Sequence, residues 1–188
     1  MNSNINKKTN LSVQLILSLI MILFISLLTV GCTSKDKEAV LDCPFTELNW
    51  NASVDDIVNY EKTEYECYDS MYQGTTYIFP KDYSDKEGSI KYMTDDKGAL
   101  KNVAWLYVGN DKEDVMSVYN SLIKELTDKY GKPTDNTDNV NNYGEVWKLD
   151  SGNIVITAVI TTEAKMVQVG YMHPTVSDGN PMNPKTAK

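Results

Sequence analysis

The sequence predicts an α+β domain, an antiparallel meander sheet of about seven strands with two helices on one face. Three observations carry that expectation. Two segments set apolar residues at helical spacing behind a capping residue. Seven short runs are rich in β-branched and aromatic residues and are divided by turn-forming Asp, Asn, Gly and Pro. The order is helix, four strands, helix, three strands, and strands joined by short turns pair antiparallel with the helices against one face.

Each element has its own justification. Ser53 with Asp56 three residues on resembles a capping box, and Val54, Ile57 and Val58 give the following helix one apolar side. Tyr65 and Cys67 alternate with Glu64 and Glu66 as a first strand. Thr75–Phe79 is a second, stopped by Pro80. Ile90–Met93 is the third, and Asp95-Asp96-Lys97-Gly98 is a hairpin turn. Leu100–Val108 is the strongest strand. Val103, Trp105 and Tyr107 alternate with Ala104, Leu106 and Val108, so both faces are apolar and the strand is central. A helix starts at Asp111, with Val115, Tyr119, Leu122, Leu126 and Tyr130 on one stripe that Met116 and Ile123 widen. Gly131 and Pro133 end it. A polar loop over 134–142 precedes strands at Glu145–Leu149, Ile154–Ile160 and Lys165–Met172. Residues 174–188 hold three prolines and no aromatic residue and read as a disordered tail. Asp55-Asp56-Ile57-Val58 and Glu113-Asp114-Val115-Met116 are a faint internal echo, each opening a helix that leads into a meander.

The N-terminus reads as an address. Lys7 and Lys8 precede an apolar run from Leu11 to Val30, with no acid before Asp36. The run ends in Leu28-Thr29-Val30-Gly31-Cys32, which resembles the lipobox of bacterial lipoproteins. The resemblance implies cleavage before Cys32, a diacylglyceryl group on its thiol, and a domain held at the outer side of the cell membrane. Two acyl chains suffice for a stable anchor. The alternative is an uncleaved transmembrane segment, for which the run is long enough. Either way the remaining chain lies outside the cytoplasm, because the two lysines stay inside. Residues 1–31 are then a signal peptide, 32–42 a lipidated Cys and polar tether, and 43–173 the globular domain.

Composition narrows the function. The chain has 188 residues and a net charge of −8, and removal of residues 1–31 takes away two lysines and no acid. All its basic residues are Lys, so the bidentate Arg that captures phosphate is missing and nucleic acid is not an expected partner. His173 is the single histidine. There is no nucleophile elbow, P-loop or dinucleotide glycine motif. Asp135-Asn136-Thr137-Asp138-Asn139 is rich in oxygen but fails the EF-hand pattern, so no metal site or cofactor is expected. Asn51-Ala52-Ser53 fits a glycosylation sequon, yet Ser53 is better read as a cap. Cys43 and Cys67 are either a disulfide closing the start of the domain or two unpaired thiols. Tyrosine is in excess, 12 against three Phe. Its amphipathic ring suits half-exposed sheet faces and interfaces.

The layout, with Tyr130-Gly131-Lys132-Pro133 before a Trp-bearing strand, resembles small lipoproteins of Gram-positive bacteria. The helix-plus-meander unit is similar to β-lactamase-inhibitor and outer-membrane assembly lipoprotein (BamE-like) modules. That similarity implies protein binding without catalysis and carries over no site residue. Two function classes follow. One is a non-enzymatic, membrane-anchored module that binds a protein or small ligand on the uncovered sheet face, with Trp105, Tyr65 and Tyr77 as candidate binding residues. The other is a cell-envelope hydrolase with a carboxylate-based site. One of Trp105 and Leu106 must point at the helices and the other at the open face.

Overall fold

The computed structural model describes residues 39–136 and 142–177. The lipobox, the oxygen-rich loop beyond Asn136 and the chain after Ser177 lie outside the described residues. The architecture is α+β, with eight strands among the described residues where about seven were expected. They are β1 (Glu66–Asp69), β2 (Gln73–Pro80), β3 (Ser89–Asp95), β4 (Leu100–Val108), β5 (Asp135–Asn136), β6 (Asn142–Trp147), β7 (Ile154–Ile160) and β8 (Lys165–Met172). The additional strand is β5, two residues set against Val146 and Glu145; two residues carry no periodicity to read. The helices are α1 (Val54–Glu61), α2 (Lys112–Tyr130) and a short α3 (Pro174–Ser177).

All pairings are antiparallel, in the order β1-β2-β3-β4-β8-β7-β6-β5. A helix and a four-stranded meander therefore occur twice. The last strand of each unit, β4 and β8, meets the other at the centre of the sheet. The echo in the sequence falls at matching places. The N-cap side chains of Ser53 and Asp111 accept from the N–H of Asp56 and Asp114, and the buried Ile57 and Val115 follow at the same spacing.

One face of the sheet carries the core. Across β7 and β8 it is covered by α2, which buries Val115, Val118, Tyr119, Leu122 and Leu126. Around Trp105 it is covered by the segment ahead of α1, with Leu41, Cys43, Phe45 and Trp50 buried. Fully burying a side chain such as Phe45 stabilises by about 1.5–3 kcal/mol. The packed chain thus reaches back ahead of Cys43 to Leu41. Asp42 belongs to it, bonded to Lys129 Nζ at 2.6 Å and to the Tyr130 hydroxyl at 3.0 Å. The end differs too. Pro174–Ser177 is helical, and Asn153 donates from its backbone N–H to Ser177 Oγ and from Nδ2 to the Ser177 carbonyl, both at 2.9 Å.

Candidate binding face

In β4 the side chains of Val103, Trp105 and Tyr107 turn toward the helices, and those of Ala104 and Leu106 turn away. Register carries that second face across six strands. One row runs Ile78, Lys91, Ala104, Gly170, Val155, Val146; the next continues through Ser89, Leu106, Gln168 and Thr157. Val108, Met166 and Val159 form a third. Among the described residues no helix covers these rows. Ala104 and Gly170, side by side at the centre, are buried among the longer side chains around them. Five gaps of ~4.8 Å by about five residues give roughly 400 Å² of face, within the size range of functional patches.

Its interior carries little charge for so acidic a chain. Lys91 is the charged side chain in the interior of these rows, and its ammonium donates to Gln168 Oε1 at 3.5 Å; at its two edges the first row ends on acids, Glu66 beside Ile78 and Asp135 beside Val146. Ile78, Leu106, Val155, Val159 and Met166 are half-buried, and Val108 is 65 % exposed.

The expected binding residues are not where sequence reasoning put them. Trp105 is fully buried on the helix side. It stacks on Phe45 and Tyr107, at centroid distances of 5.7 and 6.2 Å, and its Nε1 donates to the Lys81 carbonyl at 2.8 Å. It is a core residue with its polar atom satisfied internally, and Leu106 takes the outward position. Tyr77 and Tyr65 also lie on the helix side, Tyr77 partly buried against the core. Their rings are 5.8 Å apart, and Tyr65 packs 5.2 Å from the buried Phe79. The first-strand tyrosine on the open side is Tyr68, 49 % exposed. Ile78 and Met166 were missed, and Leu106 stayed an alternative to Trp105, because alternation pairs residues on a face without saying which face is covered. The usable signal was the indole N–H, which needs a buried partner and found one in the 81–88 loop.

Cys43 and Cys67 are free thiols, so the disulfide alternative is not realised. Phe45, two residues after Cys43, stacks on β4, while Cys67 is exposed on β1, three strands away, roughly 14 Å. A disulfide needs Cα atoms within about 7 Å. Burial pushes the Cys43 thiol up to about 12.

A cavity of about 210 Å³ opens near one end of the sheet, lined by Met71, Tyr72, Asp95, Asp96, Lys101 and Val176 among others. Its carboxylates are not paired for acid–base work. Burial opposes ionisation of Asp95, but the N–H groups of Ala99 and Lys97 and the Lys101 ammonium, 3.3 Å away, outweigh it and hold the carboxyl below its usual range. His173 lies edge-on to Trp50, centroids 5.1 Å apart, and its Nδ1 accepts from the Thr175 N–H at 3.1 Å. Burial, then the charge of Lys101, lower its pKa. Among the described residues no group of three or more His, Cys, Asp or Glu could hold a metal ion. Compared with protein-family models, curated proteins and solved structures, the chain matches none.

Proposed function

We propose that this chain is a lipid-anchored, extracytoplasmic binding module that holds another exported protein on its open sheet face. The observation behind this reading is that face: largely apolar, with no helix over these rows among the described residues, and charged in its interior only at Lys91, with Glu66 and Asp135 at its two edges, in a chain of net charge −8. A solvating surface on such a chain would carry acids across its interior as well as at its edges. The occupant that fits is a protein surface that is itself apolar and weakly charged, since a strongly charged one would lose water on docking and gain no counter-charge. The anchor rests on Leu28-Thr29-Val30-Gly31-Cys32, with Cys32 as the lipidated residue. A hydrolase reading gains no support from Asp95, which is braced in its ionised form and shaped to hold the β3–β4 turn.

The test places a photo-crosslinking amino acid at Leu106, at Gln168 and, as a control, at Asn120 on the exposed side of α2, in the lipidated protein in its own membrane. The reading expects the same discrete protein adduct from Leu106 and Gln168, none from Asn120, and loss of the Gln168 adduct when Leu106→Asp is added. Adducts equally strong from Asn120, or none from the sheet face, would sink it. Mass spectrometry of the native protein tests the anchor separately. An intact N-terminus without lipid refutes the lipobox and leaves the face in play.

A further inference from the structure

The outer edge of the sheet at β1 is a second, independent surface. All four residues of β1 are exposed, and no described strand pairs with its outer side. Ser70 N–H donates to the Gly74 carbonyl at 2.8 Å. Antiparallel alternation then directs the backbone groups of Tyr68 and Glu66 at β2 and those of Cys67 and Asp69 outward. Free edges are normally blunted with Lys. This one carries only acids: Glu64, Glu66 and Asp69. The two sides of the strand differ. Glu66 and Tyr68 share the open-face side. Cys67, opposite Tyr77, lies with Tyr65 on the side of Phe79, where Tyr65 is 44 % exposed.

We propose that β1 is a strand-addition site for an extended segment of another protein that alternates basic and apolar residues. Its main chain would extend the ladder through Cys67 and Asp69. Its basic side chains would meet Glu64 and Glu66 on one side; on the other its apolar side chains would rest on Tyr65 and Cys67, with a basic one at the end of that side against Asp69. A second copy of this chain is disfavoured, because it brings three further carboxylates to the same seam. An acidic segment is rejected for the same reason.

Cys67 is the reporter, exposed and within the proposed seam. The folded protein is titrated with an acetylated, amidated peptide of alternating Lys and Val, and the rate of Cys67 alkylation is followed. With peptide at roughly ten times its Kd, alkylation should slow about tenfold. Three comparisons make the result specific. The same peptide N-methylated along the edge that would face β1 keeps its charge but cannot form the ladder, and should give no protection. The Glu/Val peptide should give none. Glu64→Gln with Glu66→Gln should weaken the Lys/Val peptide by about tenfold. Asp69→Pro removes an outward N–H at a position where an edge strand accepts Pro, and should abolish protection while Asp69→Asn largely retains it. Thermal melting of each variant confirms that it is folded. The proposal is overturned by an absence of protection, by protection that survives N-methylation, by equal protection from the Glu/Val peptide, or by a Cys67-linked dimer that forms instead.

Discussion

Trp105 shows what a single residue can and cannot declare. Its place in an alternating, two-sided apolar strand was legible, and its direction was not. The deciding contacts come from Lys81, Tyr83 and Phe45, which are remote in sequence and local only after folding. Gly88 completes the pocket for this indole. A Cβ there would stand 2.7 Å from the ring, and the ring cannot retreat without losing its bond to Lys81 or its stack on Phe45. Gly88→Ala should therefore destabilise by about 1–3 kcal/mol, seen as a lower urea midpoint at unchanged slope. The thiols should separate as cleanly. In the folded protein a thiol reagent at pH 8 should modify Cys67 at once and leave Cys43 untouched until denaturant is added, since burial holds Cys43 protonated to about 12. Equal labelling of both would place Cys43 outside the core.

At the scale of elements, the helices and long strands were legible because each carries its own period and its own caps. The ends of the domain were not. Leu41 in the supposed tether and Ser177 in the supposed tail have no periodic neighbours, and only tertiary partners draw them in. The β1–β2 turn is a case where local chemistry is imperfect. Gln73 holds φ of 73°, a left-handed conformation that costs a side chain about 1–2 kcal/mol. Glycine there would relieve that cost and lose part of it again as unfolded-chain entropy. Gln73→Gly should therefore stabilise by about 0.5–1 kcal/mol, and a lower melting temperature would refute the strain. Asp114 joins three elements: its carboxylate takes the Tyr107 hydroxyl of β4, then Lys86 Nζ at 3.0 Å from the 81–88 loop, from the first turn of α2. These bonds lower its pKa, the Tyr107 bond most. A lowered folded value means the ionised form favours the native state. The contribution is complete above the ordinary value near 4 and fades as pH falls through the lower folded value. Asp114→Asn should lower stability at pH 7 and flatten its decline below pH 4, read from urea midpoints across that range.

For the whole molecule, the antiparallel α+β class was readable and the seam was not. Strands joined by short turns imply meanders, but nothing in a run of apolar residues says that Leu100–Val108 will pair with Lys165–Met172. That pairing joins residues 58 to 70 positions apart, from Val108–Met166 to Asn102–Met172. It makes one sheet of two helix-and-meander units, so each unit should depend on the other. Without β8, β4 would be an edge strand apolar on both faces. Without the first unit, α2 and β8 would lose Trp105 and Phe45 from the core around Tyr171. The link between the units, at Asn110 and Asp111, is exposed, so a break there removes covalent continuity and little packing. Fragments 39–110 and 111–188 should each lack near-UV circular dichroism alone and should recover it when mixed, saturating at one to one. Leu106 stands outside the shared core, so Leu106→Asp should leave recovery nearly intact, while Trp105→Ala, which removes about 3–5 kcal/mol of packing, should prevent it. A fragment 39–110 that folds as a monomer by itself would show that the first meander is closed without the seam, and would reduce the two-unit sheet to a docking of independent parts.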